Sequence, residues 1–415
     1  MLSSKGITRL FAIVAVSIGL LTTLPQCSGR SFDNTDQKLE ALVAGFVLND
    51  KSVRNCVLAV AKGDGSLNWS GAAGIGHQNG QAPMTKDTPI YIASVTKLYT
   101  ATAIMRLSES GALSLDDPMS KYLPDKLIRG IHVYEGTDYS SKITIRQLVS
   151  HTSGIADYYD EKPKGGKNLF EVFIEQPERP WTVEETIERA RKDLRPNFAP
   201  GTRTSYSDTN FQLLGKIIEA ATGKPLHVVF DELFFRPLGL THTWMIGRSK
   251  PLAPSSDPAD VFYKDMNITK TRSNGAYWAE GGIVSTAEEM IVFLKALNEG
   301  RIIRGETVQA MHDWRSWHFP LRYGYGTMLF KMPPLSSRIF GVPPLWGHSG
   351  STGSFLYYSE DLNLYMAGTI DQVDAKVAPF KLMRAAMKAV RSGLTTSKQK
   401  TYTDSSLPEM AGRLS

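Results

Sequence analysis

Ser94-Val95-Thr96-Lys97 stands where the apolar run Ile90-Tyr91-Ile92-Ala93 gives way to a long helical pattern, Leu98 to Leu107. A serine in the first turn of a helix meets free backbone N–H groups and the positive end of the helix dipole. A lysine three residues on lies on the same helix face, one turn away, so its amine can approach the hydroxyl. A serine hydroxyl is a poor nucleophile until a neighbouring base takes its proton. The pairing points to covalent catalysis, with Ser94 attacking and Lys97 handling its proton. On four residues alone, a helix-capping serine beside a solvated lysine fits equally well. A second copy, Ser397-Lys398-Gln399-Lys400, sits in a polar tail without apolar periodicity and reads as chance.

Two further groups could join this pair. Tyr206-Ser207-Asp208 follows the turn Ala199-Pro200-Gly201, which delivers it on a loop ahead of a helix. A phenol beside a lysine ammonium gains acidity and can shuttle protons. His348-Ser349-Gly350 lies between Trp346-Gly347 and Phe355-Leu356-Tyr357-Tyr358, a context that predicts an edge strand with glycines on both sides. Gly350 would leave room for a substrate backbone to pair with that strand. The N–H of Ser351 would join that of Ser94 as an oxyanion hole. Read singly, Tyr206 is as well explained by packing and His348 by a capping or core role.

In chain order, Ser94-x-x-Lys97, Tyr206-x-Asp208 and His348-x-Gly350 resemble the three motifs of the serine β-lactamase-like family. That family holds class C β-lactamases, D-alanyl-D-alanine carboxypeptidases, D-aminopeptidases and β-lactamase-like carboxylesterases. Gly111 to Pro118, Ile143 to Gly154, Arg236 to Leu240 and Gly281 to Ala287 are similar to its supporting segments. The resemblance implies that Ser94 forms an acyl-enzyme and that Lys97 and Tyr206 share the proton traffic. Tyr206 would be the base for the water that releases the acyl group. Asp208, His348, Gly350 and Ser351 would face the substrate, while His151 and Ser153 fall in a stretch read as structural. One departure matters. The second motif usually ends in asparagine, whereas an ionised Asp208 cannot donate a hydrogen bond and repels a carboxylate. His348 stands where many relatives carry lysine, and a histidine is mostly neutral at pH 7. The site thus lacks two features suited to penicillins and D-Ala-D-Ala termini. Asn210 is a candidate to supply the missing amide.

These residues need a scaffold. Phe32 to Val47 has helical spacing, and Val57 to Ala61 pairs through the turn at Gly63 to Ser66 with Leu67 to Ser70. Residues from about 112 to 250 read as helix- and loop-rich, with a surface loop at Asp160 to Lys167 and helices at Val183 to Arg191 and Phe211 to Ala221. A helix at Ala287 to Leu297 leads to short strands near Tyr323 to Phe330, Phe355 to Tyr358 and Tyr365 to Asp371, then a final helix from Val377 to Val390. The expected fold class is α/β of the α+β type, as in the β-lactamase/transpeptidase-like fold. One antiparallel sheet is built from both termini, flanked by helices, with a helical insertion. The proline-rich stretch Pro333 to Pro344 is a candidate lid over the pocket.

Composition narrows the classes. The 415 residues carry 47 Lys and Arg against 41 Asp and Glu, a net charge of +6, with no basic run interleaved with aromatics. That argues against a nucleic-acid role. Eight histidines show no metal-ligand spacing and no glycine-rich phosphate loop is present, so neither metal nor cofactor is expected. Two cysteines make no disulfide framework. Residues 1–29 read as a secretion signal, with Lys5 and Arg9 ahead of the apolar run Leu10 to Leu24. Gln26-Cys27 is a poor fit to a lipoprotein anchor. The expectation is a secreted or periplasmic serine hydrolase domain over residues 30–390 and a disordered polar tail over 391–415, with envelope association possible. Its substrate would be a small molecule or a peptidoglycan-derived peptide or ester. A D-Ala-D-Ala carboxypeptidase or β-lactamase-like activity leads. A carboxylesterase of the same fold follows, and a non-hydrolytic penicillin-binding or scaffolding protein is the third reading.

Overall fold

A computed structural model describes residues 34–79 and 81–404. The secretion-signal reading and Cys27 lie outside them. The centre of the molecule is a nine-stranded antiparallel sheet. In spatial order its strands are Arg315–His318, Leu321–Tyr323, Met328–Phe330, Leu345–Ser349, Phe355–Ser359, Leu364–Thr369, Asn55–Lys62, Asn68–His77 and Ala82–Pro83. The expected hairpin near the amino terminus pairs with the last strand, Val57 opposite Thr369 and Lys62 opposite Leu364. Both ends of the chain therefore build one sheet, and residues between its two groups of strands form the mainly helical insertion.

The Cys56 to Ala61 run is continuously apolar because this strand is covered on both faces. Alternate residues diverge. Leu58 and Val60 pack with Leu39, Val43, Leu382 and Met387 of the two terminal helices, Asn34–Asn49 and Ala378–Asp404. Val57, Ala59 and Ala61 face the core that holds Leu98, Tyr99, Met290 and Phe293. There the helix Thr96–Glu109 is buried from Thr96 to Met105, and Tyr99 stacks on Phe293 with centroids 3.6 Å apart.

Segment 279–283 is fastened along this helix. Thr96 Oγ1 accepts from the Ile283 N–H, Thr100 Oγ1 donates to the Ala279 carbonyl, and Lys97 Nζ donates to the Glu280 carbonyl at 2.8 Å. A small sheet extends the join, with Val284 opposite Tyr91 and Ser285 opposite Ile90. On its other side, the helix Asp208–Thr222 meets Trp278 and Ala279 at Gly215. A Cβ there would lie 2.6 Å from the Ala279 Cβ, so only glycine lets the helix sit this close. Two segments distant in sequence, 279–285 and the helix Asp208–Thr222, thereby pack together beside the nucleophile helix.

Two expectations are corrected. The strand Leu345–Ser349 is interior, because Met328–Phe330 and Phe355–Ser359 pair on its two sides. Only His348 and Ser349 run past the end of the first neighbour, whose pairing stops at Met328 opposite Gly347. Pro333 to Pro344 is not a lid over Ser94. It holds a short helix, Pro334–Phe340, tied to the last helix by Arg384 to the Phe340 carbonyl and Arg391 to the Gly341 carbonyl. The last helix runs to Asp404.

Candidate active site

Ser94 lies in a single tight turn, Ala93–Val95, that feeds directly into the nucleophile helix. Ala93 takes φ +45°, an uncommon backbone state for a residue with a side chain. The turn is clamped by the loop after the third motif: Ser354 Oγ donates to the Ile92 carbonyl and Thr352 Oγ1 to the Tyr91 carbonyl. Gly350 belongs to this clamp. A Cβ there would fall 2.1 Å from Ser354 Oγ and 2.5 Å from the Ile92 carbonyl oxygen. It makes room for the nucleophile turn rather than for a substrate backbone, which corrects the expected role. Gly350→Ala should cost about 1–3 kcal/mol by overpacking and lower turnover with it. Thermal unfolding and ester kinetics on the same preparation check both.

Lys97 is fully buried, and its Nζ touches three acceptors. Ser94 Oγ is at 3.0 Å, the Glu280 carbonyl at 2.8 Å and Asp208 Oδ1 at 2.5 Å. Two of these can only accept, whereas the hydroxyl can give or take. The same geometry suits an ammonium that donates to Ser94 and the Glu280 carbonyl and pairs with Asp208, or an amine with its lone pair on Ser94. Lys97 Nζ also lies 4.9 Å from the Tyr206 ring centroid and 5.6 Å from that of Phe211. This replaces water as the surroundings of the cation.

Tyr206 stacks on Trp317 at 5.3 Å and is held by His151 and Tyr323, with ring centroids 4.4 and 5.8 Å away. Ser94 is its hydrogen-bonding neighbour. Its phenol is pushed well above the usual tyrosine range, by burial first and the Asp208 carboxylate second. This direction is opposite to the gain in acidity expected from Lys97.

His151 braces the loop. Its Nδ1 accepts from the Ser207 N–H at 3.2 Å and faces Asn210 Nδ2 at 3.1 Å, while Ser153 Oγ donates to Asn210 Oδ1 at 2.7 Å. Both amide ends of Asn210 are thus occupied, and it does not replace the amide that Asp208 lacks. His348 is buried as well. Its Nδ1–H donates to the Ser349 carbonyl at 2.7 Å, leaving Nε2 to accept from the Tyr323 hydroxyl at 3.1 Å. Burial, and then Lys97, pushes it down to about 3, so it is neutral at pH 7. It supports Tyr323 and the Tyr206 wall instead of facing substrate, which corrects its expected role.

A cleft open to solvent contains Ser94, Asp208 and Ser351. Its walls are largely apolar and aromatic, with Tyr159, Phe170, Phe173, Ile246, Val261 and Tyr277 prominent. Glu280 also lines it. Among the described lining residues there is no lysine, arginine or histidine. Flanking N–H groups are used internally, Val95 to the Ile92 carbonyl and Gly350 to the Ser354 carbonyl. Those of Ser94 and Ser351 have no backbone acceptor among these bonds of the described residues.

Sequence reasoning had named Ser94, Lys97, Tyr206 and Asp208, and these do converge. It missed Trp317, Tyr323 and the aromatic wall, which carry no local motif. It also missed Glu280, although an acid inside the apolar run Trp278-Ala279-Glu280-Gly281-Gly282-Ile283 was a signal.

Comparison with known proteins now decides the family. The family model described as Beta-lactamase matches residues 35–386. The chain belongs to the Beta-lactamase family. Penicillin-binding protein 4 of Amycolatopsis lactamdurans is 27% identical over 71% of this chain and 74% of its own length. The D-alanyl-D-alanine-carboxypeptidase/endopeptidase AmpH of Escherichia coli (strain K12) is 30% identical over 50% of this chain, and the match spans about half of its length, 49%. Among solved structures, a D-stereospecific amidohydrolase from Streptomyces sp. is similar with a TM-score of 0.68 and 29% identity, covering 85% of this chain and 97% of that one. The protein is thus a serine hydrolase of the β-lactamase fold, with carboxypeptidase, esterase and amidase relatives.

Proposed function

We propose that this Beta-lactamase family member hydrolyses amides or esters with an apolar or aromatic acyl group through a Ser94 acyl-enzyme. The observation that carries this reading is the cleft beside Ser94, aromatic in its walls and charged only by Asp208 and Glu280 among its described lining. A penicillin or a D-Ala-D-Ala terminus brings a carboxylate, and this cleft offers it a second carboxylate in place of a cation. Lys97 in its amine form takes the Ser94 proton as Oγ attacks the carbonyl. The Ser94 and Ser351 N–H groups receive the oxyanion, and the Tyr206 phenol donates to the leaving group. Water then opens the ester.

Asp208→Asn tests the selectivity. Nitrocefin turnover relative to p-nitrophenyl butyrate turnover should rise on the order of tenfold, the effect of removing one nearby like charge. An unchanged or lower ratio would exclude Asp208 as the source of the preference. We also propose a secreted or periplasmic location, supported by the pattern of residues 1–29. Amino-terminal sequencing of the mature protein checks it, and an intact Met1 would count against it.

A further inference from the structure

We propose that Glu280 is the base of the second half-reaction, taking a proton from the water that hydrolyses the Ser94 ester. The proposal rests on the acyl-enzyme reading above.

The Lys97–Tyr206 pair moves the Ser94 proton to the leaving group, and it must give a proton back to Ser94 Oγ when the ester opens. A separate base for the incoming water leaves the pair free to do so. Glu280 is 2% exposed, yet it lines the same cleft as Ser94. Its position is fixed to the nucleophile. Its carbonyl accepts from Lys97 Nζ, and the next residue, Gly281, lies against Ala93, where a Cβ would be 3.7 Å from the Ala93 carbonyl carbon.

The carboxyl is also oriented. The Tyr158 hydroxyl donates to Oε1 at 2.6 Å and the Trp278 N–H to Oε2 at 3.2 Å. Gln212 Nε2 backs Tyr158 at 3.5 Å. Neither oxygen forms an ion pair with a described lysine or arginine. A buried acid held by neutral donors, without a direct ion pair, costs stability unless the site uses it. The charged and titratable groups facing it come from every side: Lys97 on the nucleophile helix, Asp208 and Tyr206 on the second motif, and Tyr158, Tyr277 and Arg248 around the wall. Burial raises Glu280 to about 7, Lys97 opposes this, and Asp208 adds to it. A base poised near neutrality suits proton removal from water.

The step balances. The water oxygen bonds to the acyl carbon while its proton passes to the Glu280 carboxylate. The carbonyl electron pair moves onto the oxygen held by the Ser94 and Ser351 N–H groups. On collapse the bond to Ser94 Oγ breaks, and Oγ takes a proton from the Tyr206–Lys97 pair. The carboxylic acid product leaves, and the proton on Glu280 passes back through water to the Tyr206–Lys97 pair, which restores the resting enzyme.

Glu280→Gln tests this with p-nitrophenyl butyrate, by stopped flow and intact mass. The p-nitrophenol burst should stay within a few-fold of wild type. Release of the butyryl group should slow by about 10²–10⁴-fold, so the adduct accumulates on Ser94. Wild-type deacylation should fall as the pH drops below about 7, and this limb should vanish in the variant. Tyr158→Phe gives a second arm, since Tyr158 holds Glu280 down. Losing that hydrogen bond should move the limb upward by about one pH unit. Wild-type deacylation by Glu280→Gln, or an unmoved limb in Tyr158→Phe, would overturn the role of Glu280. Failure of the wild-type enzyme to form any Ser94 adduct would instead overturn the reading beneath it.

Discussion

Ser94→Ala should lower ester turnover by about 10⁶-fold, close to 8 kcal/mol of lost transition-state stabilisation, the scale seen when a hydrolase loses its nucleophile. The fold should survive this change. The Ser94 hydroxyl is half-buried and bonds to Lys97, which keeps its other two acceptors, Asp208 and the Glu280 carbonyl. The melting temperature should therefore shift little while activity disappears. Kinetics against p-nitrophenyl butyrate, paired with a thermal melt, separates the two effects. A variant retaining more than a small fraction of wild-type turnover would mean that another group attacks the carbonyl.

Lys97→Met should damage both activity and stability. Activity should fall by about 10²–10⁴-fold through loss of the group that takes the Ser94 proton. Stability should fall by roughly 3–5 kcal/mol, because Asp208 is left as a buried carboxylate without its cation. The double change Lys97→Met with Asp208→Leu should recover much of that stability and none of the activity, since no unpaired charge then remains. The stability loss in the single variant should shrink as pH is lowered, because protonation removes the stranded charge. Denaturant titrations at two pH values check the sign. Equal losses in the single and double variants would mean that the ion pair is not what the lysine stabilises.

The catalytic pair was legible because its geometry is local. Three residues on one helix turn bring Lys97 to Ser94 whatever the rest of the chain does. The antiparallel sheet made from both termini could also be read, since apolar runs such as Cys56 to Ala61 and Phe355 to Tyr358 announce strands covered on both faces. What failed depended on neighbours from far along the chain. The strand holding His348 looked like an edge because the short strand Met328–Phe330 beside it carries little signal. Gly350 looked like a gap for substrate because Ser354 and Ile92, which fill that space, were not in view. The acidity of Tyr206 was read from Lys97 alone, whereas burial first and the Asp208 carboxylate second push the phenol the other way. Glu280 reaches Lys97 across 183 residues of sequence, and no spacing rule encodes that contact.

Intact-mass spectrometry tests the central claim most directly. The protein is mixed briefly with p-nitrophenyl butyrate and, separately, with benzylpenicillin, with Ser94→Ala beside it. The account predicts a single butyryl adduct located to Ser94, absent from the variant, and a penicilloyl adduct that forms far more slowly. A rapid penicilloyl adduct with no butyryl adduct would contradict it, because a cleft charged only by carboxylates would then be selecting the substrate that carries one.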